Sequence, residues 1–488
     1  MKKILMVLFL LVSISLFSCS MSHGEYSPLD GYSYSETDQS GDESHEIVEN
    51  RFVEVSEKAT SNISLSPNTA AYSALRNNIN NGRSIDKNLV RIEEMINYFK
   101  FDYNEPTGED IFGVNSYVIE NPWNSETSLL IMGMRAKEIE VSDTPNNLVF
   151  LIDTSGSMNY ENKLPLVQQS FGLLLEQLKP NDYVSIVTYA SSDKVILKGA
   201  RGDEQLKIEA AISDLYASGS TAGSKGIQTA YEIAQEYFIE GGNNRVILAT
   251  DGDFNVGISS TSQLENFISE KKDTGIYLSC LGFGYGNHKD NKLESLAKKG
   301  NGNYAYIDTI LEAKKALVED INGTLYTIAR DSKAQIDFSD SKVLEYRLIG
   351  YENRQLTDDE FNDSNTDAGE IDMGHQVTSI YEIKINEELG EGYGTLKIRY
   401  KDPDINNNDQ LEQIYDITNA SNVMANEDCL FISAIVEFGL ILRESKYKGS
   451  ASLDSIIERI ENLESVKSNP YKKDFVDLVK KYQTNYNG

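Results

Sequence analysis

At 488 residues the chain is long enough for two or three domains and a substantial core. Its 76 Asp and Glu against 45 Lys and Arg give a formal net charge of −31, which repels nucleic acid and anionic lipid headgroups over most of the surface. No nucleic-acid-binding role is expected on that ground.

Residues 1–19 carry Lys2 and Lys3, an apolar core at 4–17 and the ending Leu16-Phe17-Ser18-Cys19. The core is shorter than the roughly 20 residues a spanning helix needs, so it reads as a cleaved export signal. Its ending resembles the bacterial lipoprotein cleavage box. That resemblance implies lipidation of Cys19 and attachment to a membrane of the bacterial cell envelope, facing the periplasm or the cell surface. Residues 20–46, rich in Ser, Tyr, Gly, Asp and Glu, read as a flexible tether.

A flanking region at 47–145 follows. The spacing of Ala71, Leu75 and Ile79, then of Val90, Ile92, Met95, Ile96 and Phe99, predicts two helices separated by Asn81-Gly82. Strands are expected at 111–119 and 129–134. Between 146 and 330 the pattern alternates. Strands at 148–152, 183–189, 195–197, 245–250, 276–283 and 304–307 are separated mostly by amphipathic helices at 164–178, 206–215, 225–238, 262–272 and 292–299. Near-continuous apolar strands with such helices predict an α/β domain, a doubly wound, mostly parallel sheet covered on both faces. Period-two strands at 334–338, 344–350, 377–385 and 394–400 then mark a β-rich domain over 331–425, and helices near 426–443, 453–463 and 471–482 close the chain as a helical region at 426–488. Strands on both sides of the α/β segment predict that 111–134 pairs with strands after Arg330, making the α/β domain an insertion.

The apolar run 148–152 ends in Asp153, and the turn Thr154-Ser155-Gly156-Ser157 brings two hydroxyls to the same side. These are hard oxygen donors, which favour Mg²⁺, or Mn²⁺ or Ca²⁺, over zinc. In doubly wound sheets ligands bind beyond the carboxyl ends of strands where the strand order reverses. Thr221, in Gly219-Ser220-Thr221-Ala222-Gly223 before a helix, and Asp251, at the end of the apolar strand 247–250, are the further candidates.

This set resembles the von Willebrand factor type A (VWA) domain and its metal-ion-dependent adhesion site, where Asp-x-Ser-x-Ser, Thr and Asp recur in this order. The resemblance implies that Ser155, Ser157 and Thr221 bind the ion directly or through water, while Asp153 and Asp251 supply charge mostly through water or hydrogen bonds. One coordination position stays open for a carboxylate presented by a protein partner. Three further segments are similar to the bacterial YfbK-like lipoproteins: Val90-Arg91-Ile92-Glu93-Glu94-Met95-Ile96-Asn97-Tyr98-Phe99, Arg245-Val246-Ile247-Leu248-Ala249-Thr250-Asp251-Gly252-Asp253-Phe254-Asn255-Val256-Gly257 and Tyr346-Arg347-Leu348-Ile349-Gly350-Tyr351-Glu352-Asn353-Arg354. Where that family has Asp-Val-Asp-Thr-Ala, this chain has Ser66-Pro67-Asn68-Thr69-Ala70, so no carboxylate role carries over there.

Rival patterns fail on spacing. Taken alone, Asp153-x-Ser155-x-Ser157 is also a strand end and helix cap. Asp253 and Asn255 suit loop shaping better than metal binding. Gly219 to Lys225 is no phosphate loop, because Ser224 separates Gly223 from Lys225, and Gly282-Phe283-Gly284-Tyr285-Gly286 lacks the dinucleotide spacing. The stretch 402–408 has Asn407 where a calcium loop needs Gly and Gln413 where it needs Glu, so it reads as an acidic hairpin turn, and the acidic run 358–372 as a solvated loop. Cys280 and Cys429 lie in apolar runs and are expected to be buried and unpaired. No nucleophile has a base beside it and no His pair has zinc-protease spacing, so no enzyme activity is expected. The expected function is partner binding through a divalent-cation-dependent VWA site. The alternatives are a structural or assembly subunit stabilised by the metal, or an envelope hydrolase.

Overall fold

Residues 148–152 form the middle of a strand buried on both faces, as an unbroken apolar run requires. A computed structural model of the chain describes residues 47–139, 144–219, 225–252, 261–284, 290–320, 326–386, 392–403, 407–417 and 426–486. In chain order the strands are β1 (Val53–Glu54), β2 (Thr60–Ser64), β3 (Phe112–Glu120), β4 (Ser128–Ala136), β5 (Asn146–Asp153), β6 (Tyr183–Tyr189), β7 (Asp193–Arg201), β8 (Asn243–Thr250), β9 (Ile276–Phe283) and β10 (Tyr304–Ile307). They continue with β11 (Thr327–Phe338), β12 (Val343–Ile349), β13 (Gly369–Asp372), β14 (Gln376–Ile385), β15 (Gly394–Lys401) and β16 (Gln410–Asp416).

The α/β domain is a six-stranded sheet in the order β10-β9-β8-β5-β6-β7. Its pairs are parallel except β6 with β7, which return on each other as a hairpin at the sheet edge. The helices Leu164–Leu175 and Gln205–Ser213 bury one face with Phe150, Ile152, Ile186 and Ile247. The helices Gly226–Glu236, Thr261–Lys272 and Asp290–Lys299 bury the other with Val149, Leu151, Val246 and Leu248. Alternation along each strand sends successive side chains to opposite cores, which is how one apolar run feeds two layers. The chain runs outward from β5 through β6 to β7, then returns to lay β8 on the opposite side of β5. A crevice therefore opens between β5 and β8 at their carboxyl ends.

The flanking segments share two antiparallel sheets. One has the order β1-β12-β14-β4-β3; in the other, β13-β11-β15-β16 run in sequence and β2 also pairs with β11. β4 pairs with β14 over Ser128 to Arg135, and β2 with β11 over Thr60 to Ser64, so strands before and after the α/β domain are interleaved. The expected insertion topology is present. Met132, Leu348, Ile383, Ile336 and Leu396 fill the space between these sheets. The far face of the first sheet, with Leu129, Ile131 and Ile380, packs against the helices Ala70–Asn80, Ile92–Asn97, Glu427–Leu442, Leu453–Ile460 and Pro470–Tyr486. The N-terminal, β-rich and C-terminal segments, which read as separate regions in sequence, thus build joint cores.

Cys280 and Cys429 are free and buried in different cores. The acidic run 358–372 contains a short helix, Asp358–Asn362, opened by a capping box in which Thr357 and Glu360 satisfy each other's backbone, and strand β13. Among the described residues no helix is long and apolar enough to cross a membrane.

Candidate functional site

Asp153 is the last residue of β5, and Asp251 directly follows β8, so the switch-point crevice carries a carboxylate from each side. Asp153 is fully buried. Its Oδ1 accepts the Ser155 N–H at 2.8 Å; its Oδ2 accepts the Tyr189 hydroxyl at 3.2 Å and the Thr250 hydroxyl at 3.3 Å. Burial pushes the carboxyl up to about 6, against the pull of the Ser155 hydrogen bonds and with the charge of Asp251 adding to the rise. A carboxylate so desolvated is stabilised by any nearby cation.

The loop after β5 is pinned from two sides. Thr154 N–H donates to the Tyr189 carbonyl at 2.9 Å, Ser218 N–H to the Thr154 carbonyl at 2.8 Å, and Gly156 N–H to the Gly219 carbonyl at 2.9 Å. A Cβ on Gly156 would stand 3.1 Å from that Gly219 oxygen, so the close approach depends on glycine. The pinned loop sets the Ser155 and Ser157 hydroxyls 2.9 Å apart. Thr221 lies outside the described residues, as do Asp253, Asn255 and Cys19. Four of the five expected donors, Asp153, Ser155, Ser157 and Asp251, are thus placed at one end of the sheet.

Tyr189 and Thr250 escape a motif reading, yet both hold Asp153. Tyr189 stands directly across from Asp153 in the β5–β6 register, and Thr250 ends β8. Aligning the ends of neighbouring strands would have found them. Lys163 has no such signal. It precedes the helix Leu164–Leu175 and places its ammonium 2.8 Å from Asp251 Oδ2, with the Asp251 side chain fully buried. A Cβ on Gly284 would lie 2.4 Å from Lys163 Cε, so the lysine stem runs along a glycine.

The donors are all oxygens, with two carboxylates and two hydroxyls, and this chemistry fits a hard divalent cation. Among the described residues no three His, Cys, Asp or Glu side chains gather as a metal-holding group. Lys163 already supplies one positive charge to the site.

Comparison with known proteins matches three successive segments of the chain. The family model described as "von Willebrand factor type A domain" matches residues 147–321, that of "Uncharacterized protein YfbK, C-terminal" matches 323–484, and one described as "von Willebrand factor" matches 38–131. YfbK of Escherichia coli (strain K12) is 35% identical over 459 residues, covering 88% of this chain and 79% of the relative. The chain belongs to the YfbK family. Human inter-alpha-trypsin inhibitor heavy chain H4 is 28% identical over 149 residues, 29% of this chain and 16% of that protein. A solved von Willebrand factor type A structure from Catenulispora acidiphila covers 78% of this chain and 91% of its own, at 16% identity and a TM-score of 0.39. This member of the YfbK family thus carries a VWA domain, of a protein-interaction and adhesion module family, inside its own β and helical body.

Proposed function

We propose that this protein captures a protein partner at the bacterial cell envelope through a divalent-cation-dependent contact with a partner carboxylate, tethered by a lipid on Cys19. The observation that carries the reading is the convergence of Asp153 and Asp251 with the Ser155 and Ser157 hydroxyl pair at the switch point of the sheet. A divalent cation held there supplies an electrophilic position for an incoming carboxylate oxygen. Tyr189, Thr250 and Ser155 N–H keep Asp153 aimed, and the hydrogen bonds to Gly219 and Ser218 keep the loop closed. Tyr160 and Tyr216, 64% and 69% exposed on the segments that meet around this loop, provide aromatic contact area of the kind that dominates binding energy at protein interfaces.

The test is partner capture from native membranes with Mg²⁺ or with chelator, using the native chain and Asp153→Ala. Capture that needs Mg²⁺ and is lost in the variant supports the reading; metal-independent capture unaffected by Asp153→Ala overturns it.

Lys163 competes with any cation for Asp251. Lys163→Met is expected to tighten Mg²⁺ affinity about tenfold, roughly 1.4 kcal/mol, by removing that competitor from a low-dielectric site. Isothermal titration calorimetry reads this directly, and equal or weaker affinity in the variant would show that the ammonium does not compete.

A further inference from the structure

A cavity of about 130 Å³ lies between the α/β domain and the flanking body. Its chemistry is set by Arg245, near the start of β8 and only 3% exposed. The guanidinium donates from Nη1 to the Ser279 hydroxyl at 2.6 Å, and its carbon lies 5.7 Å from the Tyr277 ring centre. Its Nε, fully buried, has no hydrogen-bond partner. Among the described residues no carboxylate forms an ion pair with it. The two acidic groups lining the cavity are engaged elsewhere: Glu312 with Arg76 at 2.8 Å, and Asp320 with Lys100 at 2.6 Å and Lys315 at 2.9 Å. Asp372 acts on Arg245 only through space, its own oxygens accepting from Thr327 and Asn303.

A buried guanidinium stays charged, and leaving it uncompensated costs several kcal/mol. A fold that holds one beside an open space has built half of an ion pair. The rest of the lining says what the other half carries. Arg245, Ile247, Ser279, Leu281 and Ala305 share one face of β8, β9 and β10, and the apolar members among them face Phe99 and Leu317 across the same cavity. A guanidinium with an unsatisfied Nε and no carboxylate partner among the described residues matches a carboxylate, and the apolar lining matches a short hydrocarbon body. A cavity of about 150 Å³ takes a benzene-sized molecule, so this one takes an acid of about six or seven heavy atoms.

We propose that this cavity binds a small organic monocarboxylate, with the carboxylate on Arg245 and the hydrocarbon part on Ile247, Leu281 and Leu317. The site is separate from the Asp153 loop and does not rest on the metal reading. Its lining comes from both the α/β domain and the flanking body, so an occupant touches both.

The probe is pentanoate, titrated into the full chain by calorimetry and by thermal unfolding, against inorganic phosphate and uncharged 1-pentanol. Saturable pentanoate binding that raises Tm, with weaker binding of phosphate and pentanol, is the expected result. Arg245→Gln is expected to weaken pentanoate at least about tenfold, as loss of a charged hydrogen-bonding partner does. Ala305→Leu, which leaves the guanidinium and fills the space, should weaken it as well, and guards against a folding defect in the arginine variant. No saturable binding to the native chain at millimolar pentanoate would show a merely solvated arginine, and tighter binding of phosphate would show an inorganic-anion site; either overturns the proposal.

Discussion

Arg76→Met is expected to lower the unfolding free energy by about 3–5 kcal/mol, the usual cost of removing one partner from a buried ionic group. Arg76 sits on the helix Ala70–Asn80 and is 1% exposed. Its Nε and Nη2 form a forked pair with Asp308, just after β10, at 2.9 and 2.5 Å. Nη2 also reaches Glu312 at 2.8 Å, Nη1 donates to the Tyr98 hydroxyl at 2.8 Å, and Asp474 of the C-terminal helix lies 3.7 Å away. One guanidinium therefore joins the flanking body to the end of the α/β domain. Methionine fills similar volume but leaves Asp308 and Glu312 buried without a cation, so most of the loss is electrostatic. The triple variant Arg76→Met, Asp308→Asn, Glu312→Gln should recover part of it. Denaturant unfolding measures both, and a loss under about 1 kcal/mol for the single variant would place the domain junction elsewhere.

Glu382→Ala is expected to cost a similar amount, about 3–5 kcal/mol, by a different route. Glu382, on β14 and 1% exposed, accepts from Arg347 of β12 at 3.1 and 2.7 Å through Oε2. Its Oε1 accepts from Asn121 at 3.1 Å, Asn124 at 2.9 Å and the Thr127 hydroxyl at 2.8 Å, in the turn joining β3 to β4. One carboxylate thus organises a turn that precedes the α/β domain against strands that follow it. Alanine strands both a buried guanidinium and three polar side chains, whereas Glu382→Gln keeps the shape and should lose less. Equal losses for the two variants, measured by chemical denaturation, would refute the charge as the main contribution.

The α/β domain was legible because its signal is physical and local. Strands buried on both faces must be continuously apolar, and helices between them must be amphipathic, so 148–152 and 245–250 could be read directly. The insertion was legible from strand periodicity at 111–134 and 377–385 on either side. β2 was not, because Thr60-Ser61-Asn62-Ile63-Ser64 is polar; its burial depends on distant partners, Asn62 bonding Asp358 and Gln335, and Ser61 bonding Tyr381. β16 was hidden for a different reason: on this edge strand the apolar Leu411 and Ile414 are exposed while Gln413 and Tyr415 take the half-buried face, so apolar residues do not mark the inner side. At the site, Asp153, Ser155, Ser157 and Asp251 were readable from strand-end chemistry. Lys163, Arg76 and Arg245 were not, since a charged residue's partners are set by tertiary placement and leave no periodic trace.

The interleaving of β2 with β11 and of β4 with β14 constrains how the chain matures. β2, β3 and β4 are synthesised well before the strands that complete their sheets. Until then the open side of β4 is an unpaired edge, a template for pairing with the wrong chain. The α/β sheet, by contrast, is assembled entirely from consecutive strands between residues 146 and 307. Once closed, it replaces a long loop with a rigid span and modestly reduces the entropy lost in bringing β4 and β14 together, by about 1 kcal/mol. The inserted α/β domain thus sets the distance across which the two halves of the surrounding sheets must meet.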